Sequence, residues 1–205
     1  DLCATAVRAA LLSRADLTTA MVFEFPELQG TMGRQYARAV DGEPEAVCAA
    51  IEEMYQPRGA DDALPASPAG ALLSIADKMD TLAGCCTAGL GPTSSADPYA
   101  LRRHALGVLR TIAHHGFAFS MRALLDKALA PFDAATAPEI ARQILQLLHG
   151  RLETVLKDMC VRYDVINAGL SPGWDDVART VATARQLMAL LEKPEFKKAC
   201  TVLDR

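Results

Sequence analysis

Arg102, Arg103 and Arg110 are the densest basic grouping in the chain. A guanidinium suits phosphate because its planar fork donates paired hydrogen bonds and keeps its charge at any physiological pH. Their spacing places the three near one face of one helix, a stripe fitted to backbone phosphates. The competing reading pairs them with Asp61, Asp62 or Asp97. Asp77 and Asp80 stand three residues apart, a helical spacing at which two carboxylates could share a cation. Asp77 could equally pair with Lys78, Arg58 or Arg14. His114 and His115 are adjacent, so on a helix they point about 100° apart and do not converge on one ion. A helix-end role beside Gly116 suits them better. The run Gly89-Leu90-Gly91-Pro92-Thr93 lacks the lysine and the spacing of a phosphate-binding loop. Trp174, the single tryptophan, reads as a packing anchor.

The elements that position these residues follow from composition and periodicity. Of 205 residues, 51% are hydrophobic and 22% charged, enough to build a packed core. Aromatics contribute only 5%, so Leu, Ala, Val, Ile and Met carry that core, which favours helix on helix. The fold class expected is all-α. The formal net charge of −4 argues against a dedicated nucleic-acid module, DNA-binding ones included, but leaves room for a local basic patch. The cysteines at 3, 48, 85, 86, 160 and 200 form no metal-binding pattern, and adjacent Cys85 and Cys86 would bridge only with strain. Reduced thiols in a cytoplasmic protein are expected. No apolar run approaches the ~18–20 residues of a membrane span, no secretory leader is recognisable, and the absent initiator Met suggests a piece of a longer chain.

Along the chain, residues 3–23 read as one helix, and Pro26 opens a second in which Leu28, Met32 and Tyr36 fall at helical spacing. Pro44 to Met54 gives a third. Prolines and glycines make residues 55–68 a loop. A strong helix then runs from Pro68 to about Leu82. Asp97 followed by Pro98 reads as an N-cap and first helical position for a helix holding Leu101, Ala105, Val108 and Ile112. Thr136-Ala137-Pro138-Glu139 reads as a capping box ahead of the clearest amphipathic pattern, residues 139–156. Ser171-Pro172 and Lys193-Pro194 each introduce further helix.

Three blocks carry a family likeness. The first runs Ala15-Asp16-Leu17-Thr18-Thr19-Ala20-Met21-Val22-Phe23-Glu24-Phe25-Pro26-Glu27-Leu28-Gln29-Gly30, continuing through Thr31-Met32-Gly33 and Tyr36-Ala37. The second is Tyr55-Gln56-Pro57-Arg58 with Asp61-Asp62 and Leu64-Pro65. The third is Ile75-Ala76-Asp77-Lys78-Met79-Asp80-Thr81-Leu82-Ala83-Gly84, then Asp97-Pro98-Tyr99-Ala100-Leu101-Arg102-Arg103 and Ala105-Leu106-Gly107-Val108-Leu109-Arg110. In this order they resemble the beta subunit of bacterial heterotetrameric glycyl-tRNA synthetases over roughly residues 10–112.

That resemblance implies an irregular helical bundle similar to an HD domain at 1-130, followed by a helical extension or linker at 131-205. It implies tRNA for glycine and an alpha subunit as partners, with glycine activation, ATP and Mg belonging to that alpha subunit. Active HD domains hold a metal through a His, a His-Asp dyad and a distant Asp, so that bound water attacks a phosphoester. Leu11-Leu12-Ser13-Arg14-Ala15 resembles the dyad segment with Ser13 and Arg14 in place of the ligands, and Asp77 resembles the distant Asp. No catalytic or metal site is therefore expected in this chain, and it needs no cofactor of its own. The function expected is a tRNA-binding or architectural role in glycyl-tRNA aminoacylation, with Arg102, Arg103 and Arg110 as the tRNA contacts. The alternatives are an HD-type metal-dependent nucleotide phosphohydrolase and a purely structural helical scaffold.

Overall fold

A computed structural model of the chain describes residues 1–59, 61–93 and 96–196. Among the described residues the secondary structure is helical throughout, without strands. Helix α1 spans Leu2–Leu12, α2 Ala20–Glu24, α3 Thr31–Ala39, α4 Glu45–Glu53 and α5 Pro68–Thr87. The others are α6 (Leu101–His115), α7 (Met121–Leu129), α8 (Ala137–Asp158), α9 (Tyr163–Leu170) and α10 (Val177–Leu191).

Helix α5 is the axis of the fold, packing against α1, α4, α6, α7 and α8. Its sequence explains this role, because buried residues occur on every turn from Ala69 to Cys86 and leave only a narrow polar face at Asp77 and Asp80. Its start is doubly fixed. The Ser67 hydroxyl accepts the Gly70 amide at 3.0 Å, and the Ser67 amide donates to Glu53 Oε2 at 3.0 Å. Gly70 itself permits the crossing of α4: a Cβ there would lie 2.6 Å from Glu53 Cβ.

Two buried clusters lie along α5. The smaller gathers Ala9, Ala37, Val47, Cys48, Ile51, Met54 and Leu73. The larger begins at Ile75 and takes in Leu82, Leu101, Leu109, Leu125, Ile144, Leu148, Leu152 and Val181. Helix α8 supplies Ile144, Leu148, Leu152, Val155 and Leu156, one stripe at spacings of three and four.

The first expected helix is broken in three. The chain leaves α1 at Ser13, Arg14 turns left-handed at φ 63°, and Ala15–Thr18 form a 3-10 turn before Thr19 caps α2. Pro26 opens another 3-10 turn, Pro26–Leu28, and α3 begins only after Gly30 at φ 84°. Asp97 does cap α6, but from four residues upstream: its carboxylate accepts the Leu101 and Arg102 amides at 2.8 and 3.0 Å, and Pro98 stays outside the helix. The expected capping box does not form. The Thr136 hydroxyl donates to the Asp133 carbonyl, and Glu139 binds Arg142 and Gln143 on its own helix. After Ser171-Pro172 the helix waits for Asp176, which caps α10 by accepting the Arg179 amide at 2.9 Å. The helix expected after Lys193-Pro194 lies largely outside the described residues.

Candidate functional site

The broken start of the chain builds one wall of a polar pocket. Ser13 turns its hydroxyl back onto the Ala10 carbonyl at 2.7 Å, and the left-handed residue that follows swings Arg14 away from α1. The 3-10 turn after it is held by Asp16, a carboxylate only 3% exposed. Asp16 accepts the Gly30 amide at 2.7 Å and the Tyr55 hydroxyl at 3.4 Å. Gly30 must be glycine here on two counts, its positive φ and a Cβ that would stand 2.5 Å from the Tyr55 ring.

With the turn fixed, Arg14 reaches α5 and pairs directly with Asp77. The three positions singled out by the HD likeness thus fall together, Ser13 beside Arg14 and Arg14 on Asp77. This donor set does not fit a divalent ion, because a guanidinium already occupies the carboxylate that a metal would need. Asp80, the other half of the two-carboxylate reading, is exposed.

Lys78, next to Asp77, turns inward. Only 3% exposed, it donates to the carbonyls of Met54 and Gln56 at 3.1 and 2.8 Å and to the Ser74 hydroxyl at 2.8 Å. All three ammonium protons are therefore used. Burial pulls its pKa down to about 8, with partial relief from Asp77 and Asp62. Helix α6 lies over the lysine stem at Gly107, where a Cβ would meet Lys78 Cε at 3.2 Å and Pro57 Cγ at 3.3 Å.

The opposite wall comes from the loop after α4 and the start of α6. Arg58 donates to the carbonyls of Gln29 and Glu27 and stands 5.9 Å from the centre of the Tyr55 ring. Arg103 is exposed, and among the described residues its guanidinium makes no hydrogen bond or ion pair. His104 beside it has its pKa lowered by burial and by Lys78. Together Arg14, Tyr55, Arg58, Asp77, Lys78, Arg103 and His104 line a cavity of about 520 Å³.

The remaining basic candidates lie elsewhere. Arg102 donates to the Thr93 carbonyl and so braces the loop ahead of α6. Arg110 approaches the Gly59 carbonyl at 3.5 Å and borders a separate cavity with Arg185 and Asp158. His115 has a ring nitrogen 2.8 Å from the Pro65 carbonyl and stacks on Phe117, while Gly116 closes α6 in the left-handed conformation. Trp174 is half-buried, packs on the larger core and meets the His149 ring edge-on. Composition and spacing gave no sign of Asp16 or His104, and pointed to Lys78 only as a partner for Asp77, which it does not pair with. The one available signal was their place inside the three motif blocks or between them.

The model of the glycyl-tRNA synthetase beta subunit family matches residues 1–171, well past the helix that ends the motif blocks. The chain is 43% identical over 210 residues to the glycine–tRNA ligase beta subunit of Myxococcus xanthus, covering 98% of this chain and 30% of that protein. The corresponding protein of Clostridioides difficile is 44% identical over 201 residues, covering 97% of this chain and 29% of its own length. What the fold and the matches define is a helical segment of an aminoacyl-tRNA synthetase subunit. The chain belongs to the glycyl-tRNA synthetase beta subunit family, and it spans about 30% of the length of the relatives it matches.

Proposed function

We propose that this segment helps to position tRNA within an assembled glycine–tRNA ligase, holding backbone phosphates and performing no bond chemistry itself. The observation that carries this reading is on α6. Arg103 and Arg110 stand seven residues apart, two helical turns on nearly the same face, and Arg103 is exposed beside a cation-lined cavity. Arg102 adds charge at the helix start while its guanidinium braces the neighbouring loop. Phosphate contacts of this kind fix register and orientation without reading sequence. In this reading residues 1–130 form a degenerate HD-like unit and residues 131–205 extend it. Glycine activation with ATP and Mg resides on an alpha subunit. The phosphohydrolase alternative is disfavoured by the Arg14–Asp77 ion pair, which puts a fixed positive charge where a cation would bind.

The test uses the assembled ligase, with this segment in its full beta subunit. Changing both Arg102 and Arg103 to Glu is expected to raise KM for tRNA about tenfold, since two phosphate contacts become repulsions. ATP–pyrophosphate exchange with glycine is expected to stay unchanged. An unaltered KM in a folded double variant would leave the segment as a scaffold only.

A further inference from the structure

The cavity beside Arg103 has a charge pattern that the tRNA-backbone reading does not require. Arg14, Arg58, Lys78 and Arg103 line it together with a single carboxylate, Asp77. That is a formal surplus of three positive charges with His104 neutral, on a chain whose net charge is −4. Of the acids beside it, Asp16 is committed to the Gly30 amide and the Tyr55 hydroxyl, and Asp62 to the Arg58 amide, from where it still favours the charged form of Lys78.

The cations differ in what they can still offer. Lys78 has no proton left to donate and contributes only its charge. The Arg58 guanidinium is bound to neutral carbonyls and forms no ion pair. Arg14 gives Asp77 one nitrogen and keeps further N–H groups. Arg103 is uncommitted. Tyr55, Gln29 and Thr81 add neutral polar groups to the same wall. A volume near 520 Å³ is in the range that encloses a small ligand. A flat stripe of arginines suits a passing phosphodiester. A recess with a surplus of three charges suits a compact dianion.

From these observations we infer that this cavity is a binding site for a terminal phosphate, the phosphomonoester of a nucleotide or of an RNA end. The site overlaps the backbone contacts proposed for α6 at Arg103 and rests on that reading for nothing else. Arg103 and Arg14 supply the donors, Arg58 and Lys78 the field, and Asp77 holds Arg14 at the rim.

The test is calorimetric titration of the full beta subunit, without its alpha partner, with adenosine 5′-monophosphate, inorganic phosphate and adenosine. The monophosphate and inorganic phosphate are expected to bind saturably and competitively, and adenosine not to bind. Arg103→Gln is expected to weaken the monophosphate at least fivefold, whereas Arg162→Gln, which removes an exposed charge paired with Asp164 outside the cavity, leaves it unchanged. Asp77→Asn, by freeing Arg14, is expected to tighten binding at least twofold. Short RNAs identify the source. Displacement of the monophosphate by a 5′-phosphorylated oligonucleotide, but not by its 5′-hydroxyl form, marks an RNA end; no displacement by either marks a free nucleotide. No saturable binding of phosphate or monophosphate, or equal losses from Arg162→Gln and Arg103→Gln, would overturn the site. Displacement by both RNAs alike would also overturn it, while leaving the backbone-contact reading intact.

Discussion

Arg14 and Asp77 are 63 residues apart in the chain and form an ion pair at the mouth of the cationic cavity. Arg14 gets there because the chain breaks after α1, and it is the left-handed residue at that break. The arginine side chain is 48% exposed and the aspartate 16%, so the pair works in a mostly solvated setting. A double-mutant cycle with Arg14→Ala and Asp77→Ala, read by urea unfolding, is expected to give a coupling of about 0.5–1 kcal/mol. A coupling near zero would mean that the two side chains act independently.

Lys78 makes stability depend on pH in the alkaline range. In the unfolded chain it keeps its proton up to about 10.5, whereas in the fold it releases it near 8. Between those values the unfolded state binds more protons, so the Lys78 contribution to stability rises with pH, by about 1.4 kcal/mol for each unit of difference. Urea midpoints between pH 7.5 and 10 should show wild type gaining on Lys78→Met. Parallel curves would contradict the buried, carbonyl-bound lysine.

Two glycines in long helices should respond oppositely to alanine. At Gly150 in α8 an added Cβ meets nothing within 4 Å, so Gly150→Ala is expected to stabilise by about 0.5–1 kcal/mol through helix propensity. At Gly107 the same methyl presses on Lys78 and Pro57 at 3.2–3.3 Å, and the gain should vanish or reverse. Urea midpoints of the two variants decide it.

Helix α8 carries the larger core across much of its length. Leu148 is fully buried in that cluster, so Leu148→Ala is expected to cost about 3 kcal/mol. Placing proline at the neighbouring Leu147 should cost ~3 kcal/mol or more by breaking a backbone hydrogen bond in mid-helix. Thermal unfolding checks both, and near-parental stability in either would contradict the packing.

The pattern that was legible in the sequence is the one that repeats. Helices α5, α6 and α8 each carry apolar residues at helical spacing over several turns, and periodicity located them; the shorter α4 was marked by Pro44 at its start. The segment before α3 was misread because its breaks come from single residues. Arg14 adopts a positive φ without being glycine, and the 3-10 turns at Ala15–Thr18 and Pro26–Leu28 are too short to leave a period. Thr136 failed as a cap because Asp133 claimed its hydroxyl, a competition that spacing does not reveal. At the site, Asp77 was legible as a carboxylate awaiting a cation, and Arg14 was among its named partners. Lys78 was not legible as a buried group: a lysine beside an aspartate looks like a solvated pair until Gly107 and Pro57 close over it. The arginines were found by type, but separating Arg103 from Arg102 and Arg110 required knowing which carbonyls the other two approach.

The central claim, that this segment holds RNA phosphate through Arg103, is tested most directly by tRNA affinity against salt. In the ligase carrying the full beta subunit, Arg103→Gln is expected to weaken tRNA binding and to reduce the slope of log affinity on log salt by about one. Arg103→Lys should keep most of the slope, since it retains the charge. Identical affinity and slope in wild type and Arg103→Gln would contradict the claim.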